Sequence, residues 1–402
     1  MQATPKAIRL HIGIFGRRNA GKSSLLNALT RQQVSIVSAM AGTTTDPVEK
    51  QMELLPIGPV LFIDTAGIDD EGAVGTLRVQ QTRKVFERTD LAVLVLDGSR
   101  WGSFEDDLLN QFATRKIPVI VVFNKHDLGA AAPETVTRLQ EAGCRTVSVS
   151  AQTGAGIPDL IEAFVQSVPE EFITPPSLLG DLIRPGELVV LVVPIDKEAP
   201  KGRLILPQAQ TIRDLLDNNA ISLVVQDTGL VSALERLKQP PALVVTDSQA
   251  FRKVADETPA NIPITSFSIL FARYKGDLDE FVRGAAAIES LKPGDRVLIA
   301  EACSHHPIGE DIGRVKIPSW LTRRVGEGLE FVHVQGRDFP EDLSSYRLVI
   351  HCGACVWNRR SMLSRILHCR RSGVPITNYG VAIAHLLGIL ERAVAPFTLC
   401  RR

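Results

Sequence analysis

The chain has 402 residues, too many for one hydrophobic core, so two or three domains are expected. It is 45% apolar and 22% charged, ordinary for a folded protein, and its 45 basic residues balance 45 acidic ones. That balance leaves no global field to draw it to nucleic acid or to an anionic membrane, and neither partner is expected. The longest apolar runs (91–96, 119–123 and 188–193) are strand-sized and far short of a membrane span. A strand-like segment begins by Ile8, so no leader is read there. Six irregularly spaced cysteines do not resemble a secreted disulfide framework, and a cytoplasmic location is expected.

Residues 8–15 read as a strand, followed by the glycine loop from Gly16 through Asn19, Ala20, Gly21, Lys22, Ser23 and Ser24 into helical spacing. Strand, glycine loop and helix form the context of a phosphate-binding P-loop. Backbone N–H groups at a helix start surround the phosphates, Lys22 supplies a point charge, and the Ser23 hydroxyl suits magnesium. Asp64 stands at the end of an apolar run, where its carboxylate can hold magnesium through water, and Gly67 offers an N–H to the γ-phosphate. Asn124, Lys125 and Asp127 follow another strand. A carboxylate at Asp127 accepts the guanine N1–H and N2–H, which adenine lacks. Ser150 and Ala151 close the set, with backbone to contact the guanine oxygen. Four motifs in this order indicate a guanine-nucleotide site.

With Gly42-Thr-Thr-Thr45-Asp46 at the place of a first switch, this region resembles the TrmE-Era group of GTPases. The resemblance implies that Thr44 reaches magnesium when GTP is bound, and that Asn19 ligates potassium. Ile68 stands where Ras-like enzymes place a water-orienting glutamine, and its side chain cannot polarise water. Slow GTP hydrolysis, raised by a monovalent cation or a partner, is therefore expected.

Four prolines (169, 175, 176 and 185) mark a linker, taken as 171–186. Strands at 188–193, 221–225, 242–246 and 262–267 alternate with helices at 211–217, 230–237 and 251–255, which favours a small parallel sheet. No chemistry-bearing cluster lies there, so assembly is the expected role. The polar loop 196–203 reads as exposed.

In the last third, a strand at 296–300 leads to Cys303, His305 and His306, and a strand at 346–350 ends in His351-Cys352-Gly-Ala-Cys355, with a helix expected near Asn358. The carboxyl ends of parallel strands share an edge, so these residues can converge beside a helix N-terminus. Packed core cysteines, a redox dithiol, a Cys3His zinc site and a four-iron cluster on three thiolates are all open to that set. Arginines 359, 360, 365, 370 and 371 crowd the following helix, whose default reading is a solvated basic face and whose alternative is a docking surface. Cys144, Cys369 and Cys400 read as structural, and Trp357 and Tyr379 as solvent-excluding neighbours of the site.

Cys-x-His and a distant His-Cys-x-x-Cys, downstream of a TrmE-Era-like GTPase, resemble the HydF family of [FeFe]-hydrogenase maturation GTPases along the full chain. The resemblance implies an α/β protein: a P-loop GTPase domain (1–170), then two α/β domains with mainly parallel sheets, for dimerisation (187–267) and for an iron–sulfur cluster (268–402). It implies a [4Fe–4S] cluster on Cys303, Cys352 and Cys355, with His305 and His351 as neighbours or candidates for the fourth iron position. GTP, Mg2+ and K+ are the other implied cofactors. The implied role is a homodimeric scaffold that takes a diiron precursor from the radical-SAM maturases HydE and HydG and passes it to apo-hydrogenase. A regulatory GTPase switch with a structural zinc site is the competing expectation.

Overall fold

The computed structural model describes residues 4–30, 47–65, 82, 84–98, 101–173, 176–195, 204–302 and 311–398. They fall into two compact units, Met1–Pro175 and Pro176–Arg402.

The first unit carries a six-stranded sheet of β1 (Leu10–Phe15), β2 (Val48–Leu54), β3 (Gly58–Asp64), β4 (Leu91–Asp97), β5 (Val119–Asn124) and β6 (Arg145–Ser148). Its order is β2-β3-β1-β4-β5-β6, with β2 antiparallel to β3 and the other pairs parallel. The central strands β1 and β4 are buried on both faces, which is why β4 reads as an apolar run and β1 is apolar but for His11 and Gly13. Around them lie α1 (Lys22–Thr30), α2 (Ser103–Thr114), α3 (Pro133–Glu141), α4 (Ile157–Ser167) and the short α5 (Glu170–Ile173). Because β1, β3 and β5 run parallel, Phe15, Asp64 and Asn124 all end at one edge, and the motif loops leave from there.

The second unit holds two four-stranded sheets, each wholly parallel. One has the order β10-β9-β7-β8, built from β7 (Leu188–Val192), β8 (Ile221–Val225), β9 (Leu243–Thr246) and β10 (Ile264–Ser266). The other has the order β12-β11-β13-β14, built from β11 (Arg296–Glu301), β12 (Glu330–Gln335), β13 (Leu348–His351) and β14 (Ile376–Asn378). The helices are α6 (Leu206–Asp217), α7 (Leu230–Glu235), α8 (Phe251–Glu257), α9 (Phe267–Lys275), α10 (Leu278–Ala286), α11 (Ile317–Val325), α12 (Arg359–Arg371), α13 (Tyr379–Leu386) and α14 (Leu390–Thr398). One apolar core draws on both sheets, with Phe267, Phe271 and Phe281 in the same buried cluster as Val244 of β9 and Val349 of β13.

Three details depart from the sequence reading. The stretch expected as a linker contributes Leu178, Leu179 and Ile183 to this core, and the Asp214 carboxylate accepts the N–H groups of Leu178, Leu179 and Gly180. Helix α6 begins at Leu206, not near Thr211, because Pro207 occupies its first turn, where no intrahelical N–H is needed. Strand β12 was not expected at all. It is a half-exposed edge strand, and although Phe331, Val332 and Val334 favour a strand, its mixed polar and apolar sequence forms no continuous apolar run.

Candidate functional site

At the nucleotide motifs, backbone shape is set by residues that tolerate positive φ: Gly16 (144°), Asn19 (60°) and Gly21 (89°). A Cβ on Gly16 would stand 2.2 Å from the Val95 carbonyl oxygen, and one on Gly21 2.1 Å from the Asn124 amide nitrogen. The loop is thus pressed against the sheet edge, and only glycine fits at these two points. Lys22 is buried, its Nζ donating to the Gly16 (2.9 Å) and Arg17 (2.7 Å) carbonyls. The Ser23 hydroxyl donates to Asp64 Oδ2 at 2.6 Å, so the two residues expected to share a magnesium ion already touch.

Asn124 ties the loop to the base-recognition motifs. Its amide donates to the Ala20 carbonyl (3.0 Å) and its Oδ1 accepts the Ala151 N–H (3.1 Å). Lys125, at φ 58°, pairs with Asp97 at 2.7 Å, and the His126 N–H donates to the Val149 carbonyl, leaving Asp127 exposed at the rim. Ser150 is buried and its Oγ accepts the Thr153 N–H. Ser24 follows in the first turn of α1. Thr44, Gly67 and Ile68 lie outside the described residues.

Sequence reasoning missed the prop beneath this loop. Glu105, fully buried on α2, takes Arg17 in a two-pronged pair at 2.8 and 3.0 Å and also accepts the Gly102 N–H. Arg17 is further stacked 4.8 Å over the Phe104 ring. An acidic residue in a first helical turn is too common for that pairing to be read from sequence.

At the second site, β13 ends at His351 and the chain turns sharply. Ala354 takes φ 49°, the Trp357 N–H closes on the Ala354 carbonyl, and Asn358 caps α12 by accepting the Ser361 N–H. Cys352 continues the ladder through its N–H to the Ala300 carbonyl, and its Sγ accepts the Ala302 N–H at 3.1 Å and the Ala354 N–H at 3.5 Å. Ala302 immediately precedes Cys303, so the two strand ends do converge. Cys303, His305 and His306 themselves lie outside the described residues. Cys352 and Cys355 are half-buried, and a cavity of about 200 Å³, lined by Ser248, Phe271, Gly353, Cys355 and Tyr379 among others, adjoins Cys355. Among the described residues, no cluster of three His, Cys, Asp or Glu side chains is arranged to hold a metal.

His351 is fully buried. Its Nδ1 contacts the Cys352 carbonyl (2.8 Å), which can only accept, so Nδ1 carries the proton and Nε2 accepts from Arg365. Burial, reinforced by the Arg365 charge, lowers its pKa to about 3. Both ring nitrogens are therefore committed to the protein. Arg365 is itself buried between the rings of Trp357 (4.1 Å) and Phe339 (4.5 Å) and donates to the Gly336 carbonyl. The basic helix is thus only partly solvated. Arg365 braces the histidine, Arg359 donates to the Arg273 and Tyr274 carbonyls, and Arg370 pairs with Glu280 at 2.7 Å. Lys275, unremarked in the sequence, donates to the carbonyls of Ala354 (3.2 Å), Cys355 (2.9 Å) and Trp357. Tyr379 is buried and donates to Glu301, and Cys369 is a buried thiol whose pKa burial pushes up to about 12.

Comparison with known proteins follows this division. Residues 11–125 match a family described as 50S ribosome-binding GTPase, 178–276 the hydrogen maturase F dimerization domain, and 279–396 the hydrogen maturase F tetramerization domain. The tRNA modification GTPase MnmE of Heliobacterium modesticaldum is 42% identical over 158 residues, covering 37% of this chain and 32% of its own. GTPase Der of Wolinella succinogenes is 37% identical over 197 residues, covering 46% and 41%. The chain thus spans a third to two fifths of these relatives. A crystallised Era variant of Aquifex aeolicus, bound to GDP and aluminium fluoride, matches at 22% identity and a TM-score of 0.37 over 54% of this chain and 92% of its own. With a GTPase domain followed by both domains particular to hydrogen maturase F, the chain belongs to the HydF family.

Proposed function

We propose that the chain is a GTP-hydrolysing scaffold and carrier for assembly of the [FeFe]-hydrogenase active site, working in the cytoplasm as a homo-oligomer. In this reading residues 1–170 bind and hydrolyse GTP, 187–267 associate with a second copy, and 268–402 hold a [4Fe–4S] cluster on Cys303, Cys352 and Cys355. The observation that carries it is the Cys352–Cys355 turn at the carboxyl edge of a parallel sheet, its first sulfur receiving the N–H of the residue before Cys303. Backbone N–H groups aimed at sulfur, half-buried thiols and an adjoining cavity suit an iron–sulfur group. Such a cluster on three thiolates keeps one iron for an exchangeable ligand. His351, committed through both nitrogens, orients the turn, which leaves His305 as the candidate neighbour for that position. The cargo is a diiron precursor, received from HydE and HydG and released to apo-hydrogenase.

At the nucleotide, Lys22 exchanges its two loop carbonyls for the β- and γ-phosphates, and Ser23 and Thr44 serve magnesium, with Asp64 acting through water. The Gly67 N–H senses the γ-phosphate, Asp127 reads guanine, and Asn19 serves potassium. With Ile68 beside the phosphate motif, hydrolysis is slow and rises in potassium over sodium.

The test is anaerobic reconstitution with iron and sulfide, followed by visible absorption and, after reduction, low-temperature EPR, beside Cys303→Ser. A brown protein with a spin-half four-iron signal that the variant loses supports the scaffold. A colourless protein with one tight zinc per chain replaces it with a GTPase switch bearing a structural metal.

A further inference from the structure

We propose that Lys275 is the built-in counter-ion and positioning residue of the metal–thiolate group on the Cys352–Cys355 turn. This rests on the reading that these cysteines hold metal, and it adds a residue outside the cysteine–histidine motif. Lys275 closes the last turn of α9, the helix that leaves the neighbouring sheet directly after β10. Its side chain is 1% exposed, and its ammonium spends its hydrogens on three consecutive-turn carbonyls, of Ala354, Cys355 and Trp357. The Phe271 ring lies 5.5 Å away.

A buried ammonium is costly unless a negative charge faces it. The three carbonyls solvate it as dipoles but carry no net charge. Among the described residues no carboxylate pairs with it, and all three of its partners lie on the turn that carries Cys352 and Cys355. A thiol is a poor counter-charge, whereas a metal-bound thiolate is an anion. Three thiolates on an iron–sulfur cluster leave the assembly net negative, and one unit more so when reduced. The ammonium therefore becomes fully compensated only when the turn carries its metal. It favours the reduced state over the oxidised one.

The contact is reciprocal. Arg359, at the start of α12, donates back to the Arg273 and Tyr274 carbonyls at the end of α9, where the helix dipole is negative. Two cations thus cross-link the cysteine turn to the helix that enters from the other sheet. Positioning and charge come from the same side chain.

The test compares the full-length wild type with Lys275→Gln, which can still donate to carbonyls but is neutral, and with Lys275→Arg, which keeps the charge. Folding is read by circular dichroism on the metal-free chains. Iron content and the midpoint potential, from an EPR-monitored redox titration, are read after reconstitution. We expect Lys275→Gln to fold, and either to hold its cluster at a more negative potential or to lose cluster affinity that Lys275→Arg retains. An unchanged potential and iron content in Lys275→Gln would overturn the proposal. So would a metal-free Lys275→Gln chain that fails to fold while Lys275→Arg folds, because the charge would then serve the apoprotein. If the wild type takes zinc and no cluster, only the iron–sulfur reading fails. The Lys275 role is then read in zinc affinity, expected to fall in Lys275→Gln and to hold in Lys275→Arg.

Discussion

His11 shows how a single residue in the interior of the nucleotide unit can set a pH response. It sits in β1 with Nε2 donating to the Lys6 carbonyl at 2.9 Å, and with Nδ1 buried and without a hydrogen-bond partner. Burial, with Arg88 nearby, lowers its pKa from 6.5 to about 4. The unfolded chain therefore binds a proton below pH 6.5 that the folded chain refuses until about pH 4. Stability is complete above pH 6.5 and is lost as the pH falls through that window, by about 3 kcal/mol at its lower end. Glu49, held down to about 2 by its pairs with Lys6 and Arg88 against the pull of burial, loses its contribution only at lower pH. The melting step that shifts on adding GTP identifies this unit. Its midpoint should fall between pH 7 and 5, and His11→Leu should flatten that fall; a parallel slope in the variant would refute the assignment. Sequence alone placed His11 in a strand. It could not show that Nδ1 is left without a hydrogen bond among the described residues, because that depends on what other elements bring beside it.

At the scale of elements, helix α2 is the clearest case of a segment whose role comes from where it docks. Its first turn brings Glu105 under the P-loop, where the carboxylate holds Arg17 and the Gly102 N–H together. Removing one partner of a largely buried pair is more damaging than the pair is stabilising, because a charge is left uncompensated. Arg17 is about a quarter exposed, which softens the loss. Glu105→Ala should lower stability by about 2 kcal/mol and weaken GTP binding several-fold, measured by denaturant unfolding and by fluorescent-nucleotide titration. Glu105→Gln, which keeps the Gly102 contact, should fall between. Nucleotide affinity equal to wild type in Glu105→Ala would show that the P-loop stands without this prop. The cysteine turn follows the same logic. Its strand, its cap at Asn358 and its thiols are written locally, but the Arg365 brace and the Lys275 anchor arrive from elsewhere in the fold.

At the scale of the molecule, the second unit leaves an apolar edge. Strand β8 closes one side of its sheet, and Ile221 (54%) and Val224 (43%) are exposed on it, with Leu216 and Val231 exposed nearby. An uncovered edge strand with apolar side chains invites pairing, and natural proteins normally blunt such edges with charge. Here the edge lies within the match to a dimerization domain. Placing a charge there by Ile221→Glu should shift the chain toward monomer in light scattering coupled to size exclusion, with circular dichroism unchanged. An unaltered mass would move the interface elsewhere, the β12 edge being the next place to look.

What the sequence determined by itself was the local chemistry and the order of its carriers. The glycines, Lys22, Ser23, Asp64, Asn124 and Asp127 stand out in the sequence as nucleotide-binding motifs, because phosphate and guanine recognition call for backbone shape and a few side chains at fixed short spacing. The alternation of strands and helices likewise announced parallel sheets, since buried central strands must be apolar on both faces. The tertiary structure alone decided the partners. It committed His351 to Arg365, placed Glu105 beneath the P-loop, drew residues 178–183 into a core and buried Lys275 against the cysteine turn. Each of these joins residues distant in sequence, and their pairing energy depends on burial and on neighbours that no local pattern records.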